Sequence, residues 1–389
     1  MPRADGRPRI ALVRGSWNAA GGAERFVQRI ATALASRGVE LTLIARHWPQ
    51  GGESGLPPEV RRIELASFHV GRRWRDQAFA RDVRRTVERE GFDLVQSHER
   101  IPGLPLYRAG DGVHRQWLAI RQRKHGFWRG LGDSLSLQHR AVLRAERAMF
   151  THPQLRCVVC NSEMVRDEIV RHYGVAAEKL VVIRNGIDLQ RFRPPSDEER
   201  RAARTQLGWA DGKTVFLFVG SGFERKGVEG ALRAFARGKL QRDALLVVVG
   251  HDKHRSRYER LATELGVDAA VQFTGPQNDV LSYYRAADAF VLPTLYDPQS
   301  NAVLEAMACG LPAITSTGCG VAELLSPQSG HVVDAFDPAG LADAMADLLR
   351  PDHARALGAA ARRAIEPYSL ERMTDDYLEL YARLMRAPA

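Results

Sequence analysis

Cysteine is scarce, with four in 389 residues, and a spacing that suggests redox or zinc chemistry occurs at Cys157-Val158-Val159-Cys160. No second pair completes a metal site. The pair also lies in a strand-like run, Arg156 to Asn161, where residues three apart face opposite sides, so structural thiols are expected. Long apolar runs are missing too. Nothing approaches the roughly 20 residues that span a bilayer, and Ile10 to Val13 is far shorter than the core of a signal peptide. The expected compartment is the cytoplasm. Repeats and low-complexity tracts are absent, and no Asp-x-Asp stands near a strand end, so no metal cofactor is expected.

Acidic side chains are outnumbered: 46 Asp and Glu stand against 56 Lys and Arg, a formal net charge of +10. That balance favours an anionic partner, whether nucleotide phosphates, nucleic acid or an acidic membrane. The surplus is uneven. Between Arg108 and Arg147, nine Arg or Lys accompany three acids, Asp111, Asp133 and Glu146. Within this stretch Arg115, Trp117, Arg121, Arg123, Lys124, His125, Phe127, Trp128 and Arg129 mix cations with large aromatics, as segments at membrane interfaces and on nucleic-acid surfaces do. A solvated helical face is the plain alternative.

With 44% hydrophobic residues, the chain is long enough for two domains with separate cores. The first half alternates strand-like runs (Ile10 to Arg14, Val39 to Ala45, Asp93 to Gln96, Arg156 to Cys160, Leu180 to Ile183) with helical ones, which predicts an α/β fold with a parallel sheet. A Pro-rich, charged linker follows at Arg193 to Glu199. The second alternation places strands at Thr214 to Val219, Leu245 to Val249, Val271 to Thr274, Ala289 to Leu292 and Ala313 to Ser316. Beyond Pro367, Ser369 suits an N-cap, and Met373, Tyr377, Leu378, Tyr381 and Leu384 recur at helical spacing.

Two carboxylates, Asp297 and Glu305, stand eight positions apart across a strand-to-helix junction. Ser300 is placed to cap the helix, and the first-turn N–H groups of Asn301 and Ala302 suit phosphate oxygens. Glu305 suits ribose hydroxyls, and Asp297, still in the loop, suits sugar hydroxyls. Upstream, Gly220-Ser221-Gly222-Phe223-Glu224-Arg225-Lys226-Gly227 follows a strand, and Arg225 with Lys226 can neutralise a diphosphate leaving group. Gly220-x-Gly222 also begins a dinucleotide fingerprint. Arg225 occupies the position of its third glycine, and Asp252 follows about thirty positions after Gly220 where about twenty is expected, so an oxidoreductase is excluded.

Three further sets complete the candidates. Gly21 and Gly22, at the mouth of the first helix, let backbone approach donor phosphates, or else form a simple tight turn. His98 ends a strand at the carboxyl edge where α/β sites gather, with an ordinary surface histidine as the alternative. Asp111 and Arg115 are placed for an acceptor side.

The Asp297–Glu305 spacing, with Met307-Ala308-Cys309-Gly310-Leu311-Pro312 behind it, resembles the acidic motif of family 4 of the retaining, nucleotide-sugar-dependent glycosyltransferases. Gly21-Gly22-Ala23-Glu24-Arg25, Val219 to Gly227 and Val249-Gly250-His251-Asp252-Lys253 agree with it, and together they cover nearly the whole length. Within that family the chain is similar to the lipopolysaccharide core glucosyltransferase I group. The likeness is carried by Gly220 to Val228, by Gly250 to Lys253 with Asn278-Asp279-Val280, and by Ile101 to Leu104 leading to Tyr107-Arg108-Ala109-Gly110-Asp111.

The resemblance implies a GT-B fold: two Rossmann-like domains with parallel sheets facing across a cleft. Residues 1–187, completed by a C-terminal helix 368–389, would form the acceptor side, and residues 188–367 would bind the nucleotide sugar. It implies that Arg225 and Lys226 hold the diphosphate in place of a metal, Glu305 the ribose, Asp297 the donor sugar, and His98 the sugar from the facing domain. It also implies front-face attack, in which the departing phosphate takes the acceptor proton. The implied reaction moves glucose from UDP-glucose to a lipid-linked glycan of the lipopolysaccharide core or a related acceptor. The enzyme would dock through 108–147 on the anionic inner face of the plasma membrane, without nucleic acid. GDP-mannose, UDP-galactose, UDP-N-acetylglucosamine and ADP-heptose stay open as donors, as does a catalytically silent scaffold. Two departures stand out: the family has Glu where Asp297 is, one methylene longer, and the core glucosyltransferases lack a histidine at the position of His98.

Overall fold

Runs of aliphatic and β-branched residues form two wholly parallel sheets in the computed structural model, which describes residues 7–15, 22–48, 55–66, 72–126, 132, 136–209 and 212–386. The first sheet contains β1 (Arg9–Arg14), β2 (Glu40–Ala45), β3 (Arg61–Glu64), β4 (Leu94–Ser97), β5 (Leu106–Arg108), β6 (Cys157–Cys160) and β7 (Leu180–Val182), in the order β3-β2-β1-β4-β5-β6-β7. The second contains β8 (Thr214–Val219), β9 (Ala244–Val249), β10 (Val271–Gly275), β11 (Ala289–Leu292), β12 (Ala313–Ser316) and β13 (Gly330–Val333), in the order β10-β9-β8-β11-β12-β13. In each sheet the winding reverses once, between β1 and β4 and between β8 and β11. Open α/β sheets bind ligands at the carboxyl ends of such strand pairs.

Burial explains the patterning. Along β1, Ile10 and Leu12 enter one core while Ala11 and Val13 enter another, the two-residue period of a strand covered on both faces. The helix Leu370–Arg386 returns to the first unit, where Met373, Tyr377, Leu380, Tyr381 and Leu384 join Ile10, Leu12 and Phe26. Contacts divide the chain into one unit running to Gly186 and resuming at Leu370, and another from Ile187 to Ser369. The expected boundaries at 187/188 and 367/368 thus shift. Ile187 N–H donates to Tyr368 O at 3.0 Å and Ile187 bridges Ser369, which places all three in the second unit.

Three strands carry no clear signal in the sequence. β3 is a charged, mostly exposed edge, β5 is three residues long, and β13 opens on a glycine. The cysteine pair behaves as expected: Cys157 and Cys160 are free, buried and enter different cores. Burial pushes their thiols up to about 11 and about 12, so both stay protonated. Among the described residues, no helix is long and apolar enough to cross a membrane, and no group of three His, Cys, Asp or Glu side chains is placed to hold a metal ion.

Candidate active site

After β8 the chain turns through Gly220, Ser221 and Gly222 into a one-turn helix, Phe223–Lys226. The neighbouring loop anchors this turn. Gly222 N–H donates to His251 O at 3.0 Å, and Asp252 Oδ2 accepts from Phe223 N–H at 2.7 Å. Asp252 is therefore the cap of the turn, where a dinucleotide fold would use an acid on the ribose.

Gly227 then lets the β8 loop lie on the β11 loop. Its φ is +84°, and a Cβ there would stand 2.0 Å from Pro293 O. Gly227→Ala is expected to destabilise the second unit by more than the roughly 1–2 kcal/mol of a left-handed alanine, because the clash adds to it. Urea denaturation reads this, and a loss below about 1 kcal/mol would show that the two loops are not held in this register.

Four contacts follow from that approach. Arg225 O accepts from Leu295 N–H at 2.8 Å and from Thr294 Oγ1 at 2.9 Å, Arg225 Nη1 donates to Tyr296 O at 2.9 Å, and the Lys226 ammonium pairs with the Asp297 carboxylate. Backbone holds Asp297 in turn: its N–H donates to Gly318 O at 2.8 Å, and its carbonyl accepts from Gly320 N–H at 2.9 Å. The Lys226 and Asp297 side chains are only 13% and 8% exposed. Burial pushes the Asp297 carboxyl up, but the charges of Lys226 and Arg225 outweigh it and hold the group below its usual range. Lys226 and Asp297, for which the sequence suggests two separate tasks, thus form one ion pair at the β8/β11 ends.

Ser300 stands at the N-cap of the helix Asn301–Ala308 with extended backbone, yet its side chain caps nothing. The expected cap is not made: the buried hydroxyl has no hydrogen-bond partner among the described residues, and it contributes to holding the Asp297 carboxyl down. The first intrahelical bond runs from Leu304 N–H to Ser300 O at 3.2 Å, so the N–H groups of Asn301 and Ala302 precede the helical ladder, as a bound anion needs. Further along, buried Glu305 accepts from Tyr284 O–H through Oε2 at 3.1 Å, and the same hydroxyl lies 3.2 Å from Ala302 O. Tyr284 has no motif around it, and its role could not be read from sequence.

In the first unit, Gly21 lies outside the described residues, and Gly22 is the first residue of the helix Gly22–Ser36. His98 extends β4 along β1 through its N–H, which donates to Val13 O at 2.9 Å. It is buried, 5% exposed, with its ring centroid 6.0 Å from that of Phe26, which excludes a surface histidine. Burial, with the charges of Arg108 and Arg14, holds the imidazole well below its usual pKa, and it is neutral. Arg108 is itself buried, with Cζ 3.5 Å from the Phe26 ring centre and Nη2 donating to Asn185 Oδ1 at 2.6 Å.

Asp111 accepts from Arg14 Nη1 at 3.3 Å. Burial pushes its carboxyl up, but Arg14 and Arg100 outweigh this and hold it below its usual range, which makes it a weak base near neutral pH. Arg115 is exposed on the helix His114–His125, and its N–H donates to Glu146 Oε2 at 3.3 Å. Buried Glu146 also accepts from His114 N–H and Arg100 Nε, each at 2.9 Å, and from Tyr173 O–H at 2.5 Å. It thereby does for this helix what the apolar N-cap Val113 cannot. Phe127, Trp128 and Arg129 lie outside the described residues.

Residues 20–191 match the family model described as Glycosyltransferase Family 4, and residues 199–364 match the one described as Glycosyl transferases group 1. The D-inositol 3-phosphate glycosyltransferase of Saccharomonospora viridis is 30% identical over 95% of this chain and 90% of its own. The lipopolysaccharide glucosyltransferase WaaG of Escherichia coli K12 is 28% identical over 79% of each chain. Among solved structures, WaaG matches with a TM-score of 0.81 at 25% identity, covering 96% of this chain and 99% of that one. Anabaena Alr3699/HepE in complex with UDP-glucose shares the fold, with a TM-score of 0.72 at 18% identity over 96% of this chain and 99% of its own. Both parallel sheets with their helices have the GT-B architecture of these proteins.

Proposed function

The chain belongs to the family 4, group 1 glycosyltransferases, and from that membership we propose that it transfers glucose from UDP-glucose, with retention of configuration, to a lipopolysaccharide-core or related lipid-linked glycan. The observation that carries this reading is the convergence of Arg225, Lys226 and Asp297 at the ends of β8 and β11. As the bond from the sugar to the diphosphate breaks, negative charge grows on the leaving oxygen, and Arg225 and Lys226 neutralise it without a metal. A phosphate that draws Lys226 leaves Asp297 with an unmatched charge, which donor hydroxyls then satisfy. Glu305 takes the ribose hydroxyls, and neutral His98 is a hydrogen-bond partner for the sugar. The departing phosphate takes the acceptor proton.

Glucose is supported by the glucosyltransferase relative and by the protein that shares the fold with UDP-glucose bound. A thermal-shift screen of UDP-glucose, UDP-galactose, UDP-N-acetylglucosamine, GDP-mannose and ADP-heptose tests it. A ligand at a hundred times its Kd stabilises the folded protein by about 2.7 kcal/mol, and UDP-glucose is expected to give the largest shift. A larger shift with another donor reassigns the sugar, and no shift with any of them favours a silent scaffold.

Docking on the anionic inner face of the plasma membrane through 108–147 belongs to the same reading. The helix His114–His125 buries no residue completely and carries Arg115, Arg121, Arg123 and Lys124. Sedimentation with anionic but not neutral liposomes, lost at high salt, is expected. Equal behaviour with both lipids removes the docking surface.

A further inference from the structure

A buried chain of three polar side chains joins the C-terminal helix to the end of β4. Tyr381 Oη lies 3.0 Å from Gln96 Oε1, and Gln96 Nε2 lies 3.1 Å from His98 Nε2. All three residues are buried, Gln96 completely.

Two proton arrangements fit these distances. In the first, Tyr381 O–H donates to Gln96 Oε1, and Gln96 Nε2–H donates to an unprotonated His98 Nε2. In the second, the amide is turned over, His98 Nε2–H donates to Gln96, and Gln96 donates to Tyr381. The second leaves the phenolic proton without an acceptor, since Gln96 is the partner Tyr381 has among the described residues. Burial also keeps that phenol protonated, its pKa pushed well above the usual value. A buried donor without an acceptor is disfavoured by roughly an order of magnitude in population, so the first arrangement prevails.

With Nε2 accepting and the ring neutral, the remaining proton is on Nδ1. Nδ1 makes no hydrogen bond to the described residues, so within them its proton has no competing acceptor. Burial, aided by the positive charge of Arg108 and Arg14, keeps a second proton off the ring.

We propose that Gln96 and Tyr381 are positioning residues that hold His98 as the Nδ1–H tautomer, so that His98 meets an oxygen of the transferred sugar as a hydrogen-bond donor and not as a base. The ligand in this proposal rests on the sugar-transfer reading, whereas the tautomer does not. It also gives the returning helix a chemical task in addition to packing.

The test uses the full chain labelled with 15N in its histidine rings and a long-range 1H–15N correlation, with His98 assigned by its loss in His98→Asn. The expected pattern for wild type is a proton-bearing Nδ1 and a bare Nε2. Gln96→Glu places a carboxylate that only accepts beside Nε2, and the proton is expected to move there. Tyr381→Phe frees the amide to turn over and should give both patterns, with near-UV circular dichroism confirming the fold. In turnover, Gln96→Glu is expected to lower kcat by about tenfold or more while KM for the nucleotide sugar changes less than about threefold. A proton on Nε2 in wild type, an unmoved proton in Gln96→Glu, or an unchanged kcat there overturns the proposal. The expected wild-type pattern together with no turnover of any donor retires the sugar-transfer reading alone.

Discussion

Lys226→Met is expected to cut sugar transfer by about ten- to a hundredfold, the value of one charge-assisted bond made in the transition state, and to destabilise the second unit by roughly 3–5 kcal/mol. The second effect comes from Asp297, whose buried carboxylate loses its ion-pair partner. The two effects separate in the double variant Lys226→Met/Asp297→Leu. Two apolar side chains replace a buried pair at little net cost, so stability should largely return while transfer stays lost. Urea denaturation and initial rates on the same preparations measure both, and full turnover in Lys226→Met would remove Lys226 from the reaction. Acid sensitivity supplies a check on sign. The folded pKa of Asp297 is depressed, so its contribution to stability is complete above its ordinary value of 3.8 and is lost as the pH falls through the lower folded value. Lys226→Met should blunt that loss.

Glu305→Ala is expected to lower transfer by a similar ten- to hundredfold factor while changing stability by less than about 1 kcal/mol. The asymmetry with Lys226 has a structural cause. Removing Glu305 leaves Tyr284 with a second acceptor, since its hydroxyl already lies 3.2 Å from Ala302 O. Tyr284→Phe is the control: it keeps the carboxylate and removes its donor, and transfer should fall by less than about threefold. A Glu305→Ala protein with wild-type rates would take the ribose role from this residue. One that unfolds would instead make Glu305 a structural residue of the Asn301–Ala308 helix.

Much of this arrangement was legible in sequence because it is carried by short spacings after strands. Arg225 and Lys226 follow β8 within one turn, and Asp297 and Glu305 bracket the start of one helix, so local pattern placed all four. Partners distant in sequence were not legible. Lys226 meets Asp297 across 71 positions, and Tyr381 reaches Gln96 across 285, distances at which neither period nor propensity reports contact. The burial of His98 has the same origin, since the Gly22–Ser36 helix that covers it and the returning C-terminal helix come from opposite ends of the chain. Ser300 stands at the cap position that the local pattern assigns, but its buried hydroxyl makes no cap bond, which residue type and spacing do not report. The edge strand β3 was illegible because its Arg-rich sequence has no buried face to set a period of two.

Release of UDP from UDP-glucose by the purified chain, measured beside Lys226→Met, tests the β8/β11 site most directly. Slow release without acceptor, faster release with a lipid-linked core glycan, and a drop of about tenfold or more in the variant are the predicted results. Equal release by the variant, or no release from any common nucleotide sugar, would contradict a donor site at Arg225, Lys226 and Asp297.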